Sequence, residues 1–474
     1  MNLNGDSGCG SSGSGGPGME RERRQDPEET KAQAGQPRND DQTMEVDNIT
    51  YEDLSLFSNT EEFSIFHKLD FTRTRGGRDM LLEYFNNPFG RIESIQATQA
   101  ILALILKRAD EWPPSISNGT IMVMERFYET AIDDIPHGHN LPAALSYKLF
   151  HSADYALVRY SVAHFADFVR GMLQLIDLLD KPENPRLLGD LLERSRRLLD
   201  QDILRQLAKT TGKLNPIQVI YFGHYLRQGF RTPSEALVDI YHRLDAWYSM
   251  AVAMQRYGFS FPVFTEQEDP FVEATQLYHL LLPNPVAYDV RLDRDTNFLF
   301  LTGANMAGKS TFIRSVGVGI FLAHLGMGVP AQSMRLTLFD GILSNINVAD
   351  NIGKGESYFF NEVQRIRNTL EKIGNRKKWL VLIDELFKGT NVQDAMKCSS
   401  TVIKGLIRIR RSVFILSTHL YEIGEELRQY PNILFSYFET SVKDDQLEFS
   451  YQLKPGISND RIGYLILKRE KVVE

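Results

Sequence analysis

A glycine-rich run, Gly303–Thr311, directly follows a short apolar segment, Phe298–Leu301, and narrows the folds available to this chain. The run has the spacing G-x-x-x-x-G-K-[ST], in which two glycines allow backbone N–H groups to approach phosphate oxygens. The lysine adds positive charge at the outer phosphates, and the serine hydroxyl is a ligand for Mg²⁺. A helix that begins at such a loop also favours anions at its N-terminus. We therefore predict an α/β nucleotide-binding fold built around a phosphate loop.

The whole loop is a candidate for contact with a nucleotide. The candidate nucleotide-binding residues are Gly303, Ala304, Asn305, Met306, Ala307, Gly308, Lys309, Ser310 and Thr311. Within this set, Lys309 is also a candidate catalytic residue and Ser310 a candidate metal ligand.

The bulk composition is that of an ordinary globular protein. At 474 residues, with 42% hydrophobic and 24% charged residues, the chain has room for two or three domains. Its formal net charge of −8 gives no overall attraction to nucleic acid. Any contact with DNA therefore needs a local basic face or an enclosing shape.

The cysteine content and the hydropathy of the chain indicate the cellular compartment in which we expect the protein. The two cysteines, Cys9 and Cys398, indicate neither a disulfide framework nor a zinc site, which favours a reducing interior. No apolar targeting segment occurs near the start, and the longest apolar stretch, 316–331, is too short and too rich in glycine to span a bilayer. We expect a cytoplasmic protein without a membrane partner.

Residues 1–48 have the composition of a disordered tail. The first part is rich in glycine and serine, and the second is dominated by charged residues, glutamine, asparagine and proline. Such a segment cannot bury enough apolar surface to offset the entropy lost on ordering. An inert leader and a docking arm are both compatible with this composition.

The segment 49–258 is predicted to be helical throughout. Apolar residues recur at helical spacing across Pro142–Asp180, which predicts one long helix. A second long helix is predicted to start with a capping box at Thr232–Glu235, where Pro233 takes the first helical position, and to run toward Gly258. Long helices of this kind either simply pack together or act as a lever between distant sites.

From residue 259 to 474 the pattern changes to strands alternating with helices. The runs Phe298–Leu301, Trp379–Ile383 and Ser412–Leu416 are strand-like and apolar. Such alternation is typical of a mainly parallel sheet covered by helices. The fold class predicted for the whole chain is therefore α + α/β, a helical domain followed by an α/β domain.

Two carboxylates, Asp384 and Glu385, end the second of these apolar runs. At the end of a buried strand, Asp384 can hold Mg²⁺ opposite Ser310, and Glu385 can orient and deprotonate the water that attacks the γ-phosphate. The alternative is that Asp384 and Glu385 simply face solvent at the end of a strand and have no role in binding or catalysis.

Two further elements bear on the nucleotide site. In Gly353–Ser357, glycines precede a serine at the predicted start of a helix, and a helix start of this kind can bind an anion. The alternative is that the segment is simply the capped start of a helix and binds nothing. Because the chain already has its own phosphate loop, Ser357 suits the nucleotide of a partner. His419, at the end of the third strand, can hydrogen-bond the γ-phosphate or the attacking water, or be merely structural.

These motifs resemble the ATPase domain of the MutS family of DNA mismatch repair proteins, which belongs to the ABC class. The resemblance rests on Leu301–Thr311, Asp384–Thr390 and Ser417–Leu420. In the first half, the pattern Phe66–Gly77 resembles the start of the family's core and lever domain. Tyr451–Gly456 resembles its closing hairpin.

The resemblance implies a P-loop, ABC-type ATPase that uses ATP and Mg²⁺ in a dimer. Each site would combine the phosphate loop of one chain with Ser357 of the other. Asp384 would support Mg²⁺, Glu385 would act as the base, and His419 would sense the γ-phosphate. ATP would close the dimer, hydrolysis would open it, and the lever helices would move the parts that contact DNA. The implied partners are a second copy of the chain, mismatched or branched DNA, and other repair proteins.

The sequence also departs from the family pattern. No counterpart of the family's mismatch-reading domain or of its carboxy-terminal helix-turn-helix is expected, and the DNA clamp is expected to be reduced or missing. Around Leu281–Pro285, where relatives carry an aromatic that stacks on adenine, this chain has aliphatic residues.

Three functions are compatible with these features. The first is a MutS-like, DNA-associated ATPase of mismatch repair or recombination. The second is an ABC-class ATPase switch that acts on a protein partner without mismatch recognition. The third, the ATPase subunit of a transporter, fits poorly because a long helical region precedes the phosphate loop.

Overall fold

The computed structural model describes residues 43–58, 60–138, 140–210, 212–347, 358–443 and 446–458. Helices fill the chain up to Tyr257, and the first strand after them begins at Val263, so the predicted change of structure occurs where the sequence placed it. The fold is thus mixed, with a helical half and an α/β half. One hydrophobic cluster runs through both halves, and their division into separate domains stays a prediction.

The helical half is built from helices that bury an apolar stripe and expose a polar one. Its helices are α1 (Asn48–Asp53), α2 (Ile65–Leu69), α3 (Arg75–Asn86), α4 (Ile92–Leu106), α5 (Asn118–Glu129), α6 (Leu141–Phe150), α7 (Ser152–Leu179), α8 (Arg186–Leu199), α9 (Asp202–Lys209), α10 (Pro216–Gly229) and α11 (Arg231–Tyr257).

The Phe66–Gly77 motif is held in place by one carboxylate of α11. Asp245 is fully buried and accepts the backbone N–H of Arg73 at 3.0 Å, the N–H of Thr74 at 2.9 Å and the Thr74 hydroxyl at 2.6 Å. A Cβ on Gly77 would stand 2.1 Å from the Asp245 carboxylate. The Thr74 hydroxyl also accepts the Gly77 N–H at 3.1 Å and so caps α3. The motif therefore needs this hydroxyl as a cap and as a donor to the buried carboxylate, and it needs the glycine because a larger residue would collide with that carboxylate.

The helix predicted across Pro142–Asp180 is interrupted at His151. α6 ends at Phe150 and α7 begins at Ser152, because His151 has φ −123° and ψ 51°, outside the helical region. The His151 Nδ1 lies 2.6 Å from the Asp133 carboxylate. The prediction of one continuous helix was wrong, and the 28 residues of α7 span about 42 Å.

The second long helix starts differently from the prediction. α11 begins at Arg231 with Phe230 as its N-cap, and the predicted capping box at Thr232–Glu235 does not form. Instead, the Ser234 hydroxyl donates to the Arg231 carbonyl at 2.7 Å. Pro233 then lies in the first turn, where no helical hydrogen bond needs its missing N–H. The apolar Phe230 is fully buried, and its burial rather than capping fixes the start of the helix.

The α/β half contains two sheets and the remaining helices. Its strands are β2 (Val263–Phe264), β3 (Val272–Leu277), β4 (Tyr288–Leu292), β5 (Phe298–Thr302), β6 (Ser333–Leu336), β7 (Gly341–Asn345), β8 (Trp379–Asp384), β9 (Ser412–Ser417), β10 (Ile433–Lys443) and β11 (Gln446–Pro455), joined by β1 (Glu45–Val46) from the start of the described chain. Its helices are α12 (Lys309–His324), α13 (Tyr358–Ile373), α14 (Val392–Leu406) and α15 (Tyr421–Leu427).

Seven described strands form the main sheet in the order β1-β7-β8-β9-β5-β10-β11. Neighbours are parallel except for the antiparallel hairpin of β10 and β11. The three strand-like runs of the sequence lie in β5, β8 and β9, which are buried along their whole length. Continuous apolar runs are expected where helices cover both faces of a parallel sheet. The second sheet has the order β2-β6-β3-β4.

The chain just before α1 belongs to the folded body. β1 pairs in parallel with the edge of β7, and Met44 beside it is 2% exposed. Asp53, at the end of α1, accepts the backbone N–H of Ile346 at 2.9 Å. Residues 43–48 were assigned to the disordered tail, and this assignment is wrong because a sheet edge far along the sequence supplies their partners. The rest of the tail, residues 1–42, lies outside the described residues.

The two halves meet at the end of α12. His324 is fully buried, and its Nδ1 lies 2.8 Å from the carbonyl oxygen of Phe89, in the loop between α3 and α4. The Phe89 N–H donates to the His324 carbonyl at 2.7 Å, and the Phe339 N–H lies 3.3 Å from the His324 Nε2. α12 thus begins at the phosphate loop and ends in hydrogen bonds to the helical half. None of the helices in the described ranges is long and apolar enough to cross a membrane.

Candidate nucleotide site

The phosphate loop connects β5 to α12 in a conformation that requires glycine. Gly303 has φ +137° and Gly308 has φ +107°, and Met306 between them has φ +67°. A Cβ on Gly303 would stand 3.2 Å from the carbonyl oxygen of Phe438 on β10. Backbone turned in this way can direct successive N–H groups toward an anion. The loop therefore has the shape that the glycine spacing predicted.

Lys309 is folded back onto this loop. Its side chain is buried, and Nζ donates to the carbonyl oxygens of Gly303 at 2.8 Å and Ala304 at 2.9 Å. Burial lowers the pKa of Lys309, and the charge of Lys388 adds to this effect, while Glu385 and a neighbouring aspartate oppose it. The ammonium group is held at the floor of the loop, where phosphate oxygens would be its natural partners.

Asp384 connects the phosphate loop to the next strand of the sheet. One carboxylate oxygen accepts the hydroxyl of Ser310, at the start of α12, and the other accepts the hydroxyl of Ser417, at the end of β9. Asp384 itself is 8% exposed. A hydroxyl and a carboxylate in contact offer hard oxygen ligands, which suit Mg²⁺. The residues predicted to bind the metal therefore fit that ion.

Glu385 lies beside two basic side chains. Its Oε1 is 3.4 Å from Nδ1 of His419, and its Oε2 is 3.6 Å from Nζ of Lys388. Burial raises the pKa of Glu385, but the hydrogen bond from His419 and the charges of Lys388, His419 and Lys309 outweigh it. The pKa of Glu385 consequently lies below its ordinary value, so the carboxylate is ionised at neutral pH and can accept a proton.

These groups line one cleft of about 760 Å³. Eight of the predicted residues line it: Asn305, Met306, Gly308, Lys309, Ser310, Thr311, Asp384 and Glu385. Gly303, Ala304 and Ala307 complete the loop behind it, with both alanines buried. His419 reaches the site through Glu385. Ser357 lies outside the described residues, so its place relative to the cleft stays a prediction.

The sequence reasoning missed the aromatic side of this cleft. Leu282, Pro283 and Asn284 line the cleft, as the resemblance implied for this segment, but Tyr288 and Tyr451 also line it. A Cβ on Gly308 would stand 3.5 Å from the ring of Tyr451 and 3.5 Å from the hydroxyl of Tyr288. Tyr451 is 39% exposed, and its ring stacks at 6.0 Å on that of Phe449. The signal for this aromatic side was Tyr451 itself, the first residue of the closing hairpin Tyr451–Gly456 that carries the family resemblance.

Lys388 was also missed as a residue of the site. It lines the cleft and pairs with Glu385, although the sequence analysis quoted it only as part of Asp384–Thr390. Its position depends on the sharp turn after β8. Glu385 and Phe387 both have positive φ, at +66° and +59°, which nothing in the local sequence announces because neither is glycine.

Comparison with known proteins agrees with this arrangement. A family model for MutS domain V matches residues 299–472, which include the phosphate loop, Asp384, Glu385 and His419. The chain is 30% identical over 246 residues to the DNA mismatch repair protein msh3 of Aspergillus fumigatus, covering 50% of this chain and 21% of the relative. It is 30% identical over 293 residues to the DNA mismatch repair protein MutS of Leptospira interrogans, covering 60% of this chain and 33% of the relative.

A third relative gives the same result. The DNA mismatch repair protein MutS of Carboxydothermus hydrogenoformans is 30% identical over 232 residues, covering 48% of this chain and 27% of the relative. In these three comparisons, the matched segment spans about a fifth to a third of each relative's length. The matched residues 299–472 contain the phosphate loop and the acidic and basic side chains that line the cleft, so this part of the chain is similar to domain V of the MutS proteins.

Proposed function

We propose that the chain is an ATPase of the DNA mismatch repair type, in which ATP hydrolysis drives a conformational change on DNA. The observation that carries the proposal is the contact between Ser310 and Asp384, beside an ionised Glu385 and a buried Lys309. This set of groups has the composition that phosphoryl transfer from a Mg²⁺-bound nucleotide requires. Its relatives are DNA mismatch repair proteins by name, which supports the link to repair.

Binding of the triphosphate would use the loop and its lysine. The backbone N–H groups of Gly303–Gly308 would cradle the phosphates, and Lys309 would exchange its carbonyl partners for phosphate oxygens. Ser310 and Asp384 would hold Mg²⁺. When bound, Mg²⁺ neutralises charge on the phosphates and helps the leaving group to depart. The hydrogen bond from the Ser310 hydroxyl to the Asp384 carboxylate would keep these two ligands together.

Glu385 would act on the attacking water. Its low pKa keeps it ionised, and a base must be unprotonated before it can take a proton. His419 and Lys388 each approach one of its two oxygens, so the carboxylate is oriented from both sides. His419 would thus orient the base as well as sense the γ-phosphate.

The remaining parts of the proposal concern the assembly. Two copies of the chain would enclose two nucleotides, with Ser357 of each copy directed at the nucleotide of the other. The conformational change would pass along α12, because this helix starts with Lys309 and ends with His324 in hydrogen bonds to the loop between α3 and α4. Mismatched or branched DNA and repair proteins would be the partners. No observation in the described ranges favours the alternative of a switch for a protein partner, so one function is proposed.

The test is the rate of ATP hydrolysis by the full chain with and without DNA. We expect duplexes with a mismatch or a branch to change the rate more than perfect duplex, in a salt-sensitive way. Glu385→Ala should lower turnover at least about 100-fold, the usual contribution of a general base, while ATP binding is retained. Normal turnover by this variant would exclude Glu385 as the base. A wild-type rate that no DNA alters, with no salt-sensitive binding, would exclude the DNA-linked function.

A further inference from the structure

Glu362 on α13 is a buried carboxylate that the proposed mechanism does not use. It is 2% exposed, so it has left water almost completely. Its Oε1 accepts the backbone N–H of Lys388 at 3.0 Å, and its Oε2 accepts the N–H of Gly389 at 3.2 Å. A buried charge is costly unless it is well hydrogen-bonded, and here both oxygens are used on two consecutive N–H groups.

These two N–H groups belong to the turn that carries the proposed base. Glu385 and Phe387 both have left-handed backbone, at φ +66° and +59°. A bulky side chain rarely adopts this conformation, and such residues persist only where the surroundings hold them in place. Glu362 bonds the turn directly after Phe387, so its carboxylate is one of the groups that hold it.

A second contact between α13 and the turn after β8 also holds this turn in place. The ring of Phe359, also on α13, lies 5.7 Å from the ring of Phe387, which is 4% exposed. α13 and the turn after β8 are thus joined by an aromatic contact and by two hydrogen bonds to one carboxylate. The same turn places Lys388 Nζ 3.6 Å from Glu385 Oε2.

We propose that Glu362 is a positioning residue for Glu385. By fixing the N–H groups of Lys388 and Gly389, it sets the turn in which the base and its lysine partner face each other. α13 begins immediately after Ser357, so a shift of α13 would reach Glu385 through this carboxylate. This inference rests on the proposed function, because it assigns a role in the hydrolysis that Glu385 would perform.

The test is Glu362→Gln in the full chain. The amide keeps the size of the side chain but replaces one acceptor oxygen by an NH₂ group, which cannot accept an N–H. We expect the rate of ATP hydrolysis at saturating Mg·ATP to fall about 10- to 100-fold, as for a misplacement of roughly 1 Å. The Kd for a non-hydrolysable ATP analogue should change less than about 2-fold, because the phosphate loop is a separate element. A merely structural role would lower binding and stability together with the rate.

Glu371→Gln is the matched control. It makes the same chemical change on the same helix, where Glu371 is exposed and pairs with Arg367 at 2.9 Å, and it should leave the rate unchanged. If Glu362→Gln does not fold, Glu362→Asp is measured in the same way, since it keeps the charge but withdraws both oxygens by about 1.5 Å.

The possible failures can be told apart. A wild-type rate in a folded Glu362 variant, or an equal loss of analogue binding, overturns the positioning role while the proposed function stands. If wild type shows no turnover that depends on Glu385, both proposals fall.

Discussion

At the scale of single residues, Tyr451 supplies an aromatic face that the segment Leu281–Pro285 does not. Its ring lies close to Gly308 and lines the same cleft as Leu282 and Pro283. An aromatic ring with one open face can stack on a nucleobase, while aliphatic side chains can only cover the base on its other side. We therefore expect Tyr451, on β11, to stack on the base of a nucleotide bound in this cleft.

We expect Tyr451→Ala to weaken ATP binding by about 1–3 kcal/mol, the usual contribution of base–aromatic stacking, which is roughly 5- to 150-fold in Kd. The rate at saturating ATP should change little, because Tyr451 touches none of the groups assigned to hydrolysis. Titration of a fluorescent ATP analogue measures the Kd, and Tyr451→Phe is the control that keeps the ring. Equal binding by wild type and the alanine variant would show that the ring does not stack on the base.

At the scale of elements, α12 is anchored at its end by a histidine that must stay neutral. Burial lowers the pKa of His324 to about 4, against the hydrogen bond to Phe89 that raises it. Burial, with the charge of Arg314, also lowers the pKa of His279 to about 4. In the unfolded chain both groups would bind a proton near pH 6.5, their ordinary pKa. Between pH 6.5 and pH 4 the unfolded state therefore binds more protons than the native state.

We expect His324 and His279 to cause no change in the free energy of unfolding above pH 6.5. Below pH 6.5 they should make the free energy of unfolding decrease as the pH falls toward 4. Each histidine accounts for about 2 kcal/mol between pH 6.5 and pH 5. His324→Gln should remove about half of this decrease in the free energy of unfolding. Urea unfolding at pH 7 and pH 5 measures the difference. An unchanged pH dependence in His324→Gln would mean that His324 is not kept neutral by the fold.

At the scale of the whole molecule, the proposed ATPase is completed by a second copy. One chain would bring Lys309, Ser310 and Asp384, and the other would bring Ser357. Two defective chains can therefore complement each other when each lacks a different half of the site.

We expect Ser357→Arg and Lys309→Ala to be inactive when each is assayed alone. Mixed in equal amounts, they should recover about a quarter of the wild-type rate, since half of the dimers are mixed and each has one complete site of two. The measurement is steady-state ATP hydrolysis after re-equilibration, with sedimentation in Mg·ATP to confirm dimers. A mixture as inactive as its components would contradict the shared site.

Much of the nucleotide site could be predicted from the sequence because its residues are adjacent in the chain. Gly303–Thr311 forms a loop whose glycine spacing is a direct requirement of its backbone, and Asp384 and Glu385 end a run that is apolar enough to be a buried strand. The first residues of β5, β8 and β9 followed from the same local pattern, and each strand ends one residue later than the apolar run predicted. Boundaries depending on distant contacts were missed: the break at His151, the start of α11 at Arg231 and the pairing of β1 with β7.

The sequence by itself determined that a phosphate loop lies between a buried strand and a helix, that two carboxylates end a second strand, and that helices precede them. Only the tertiary structure decided that Tyr451 and Lys388 line the cleft and that Glu362 bonds the turn after Glu385. These contacts depend on the hairpin of β10 and β11, the left-handed turn after β8 and the packing of α13. Local spacing fixes backbone shape, whereas the partner of a buried carboxylate or an aromatic ring depends on contacts between residues far apart in the chain.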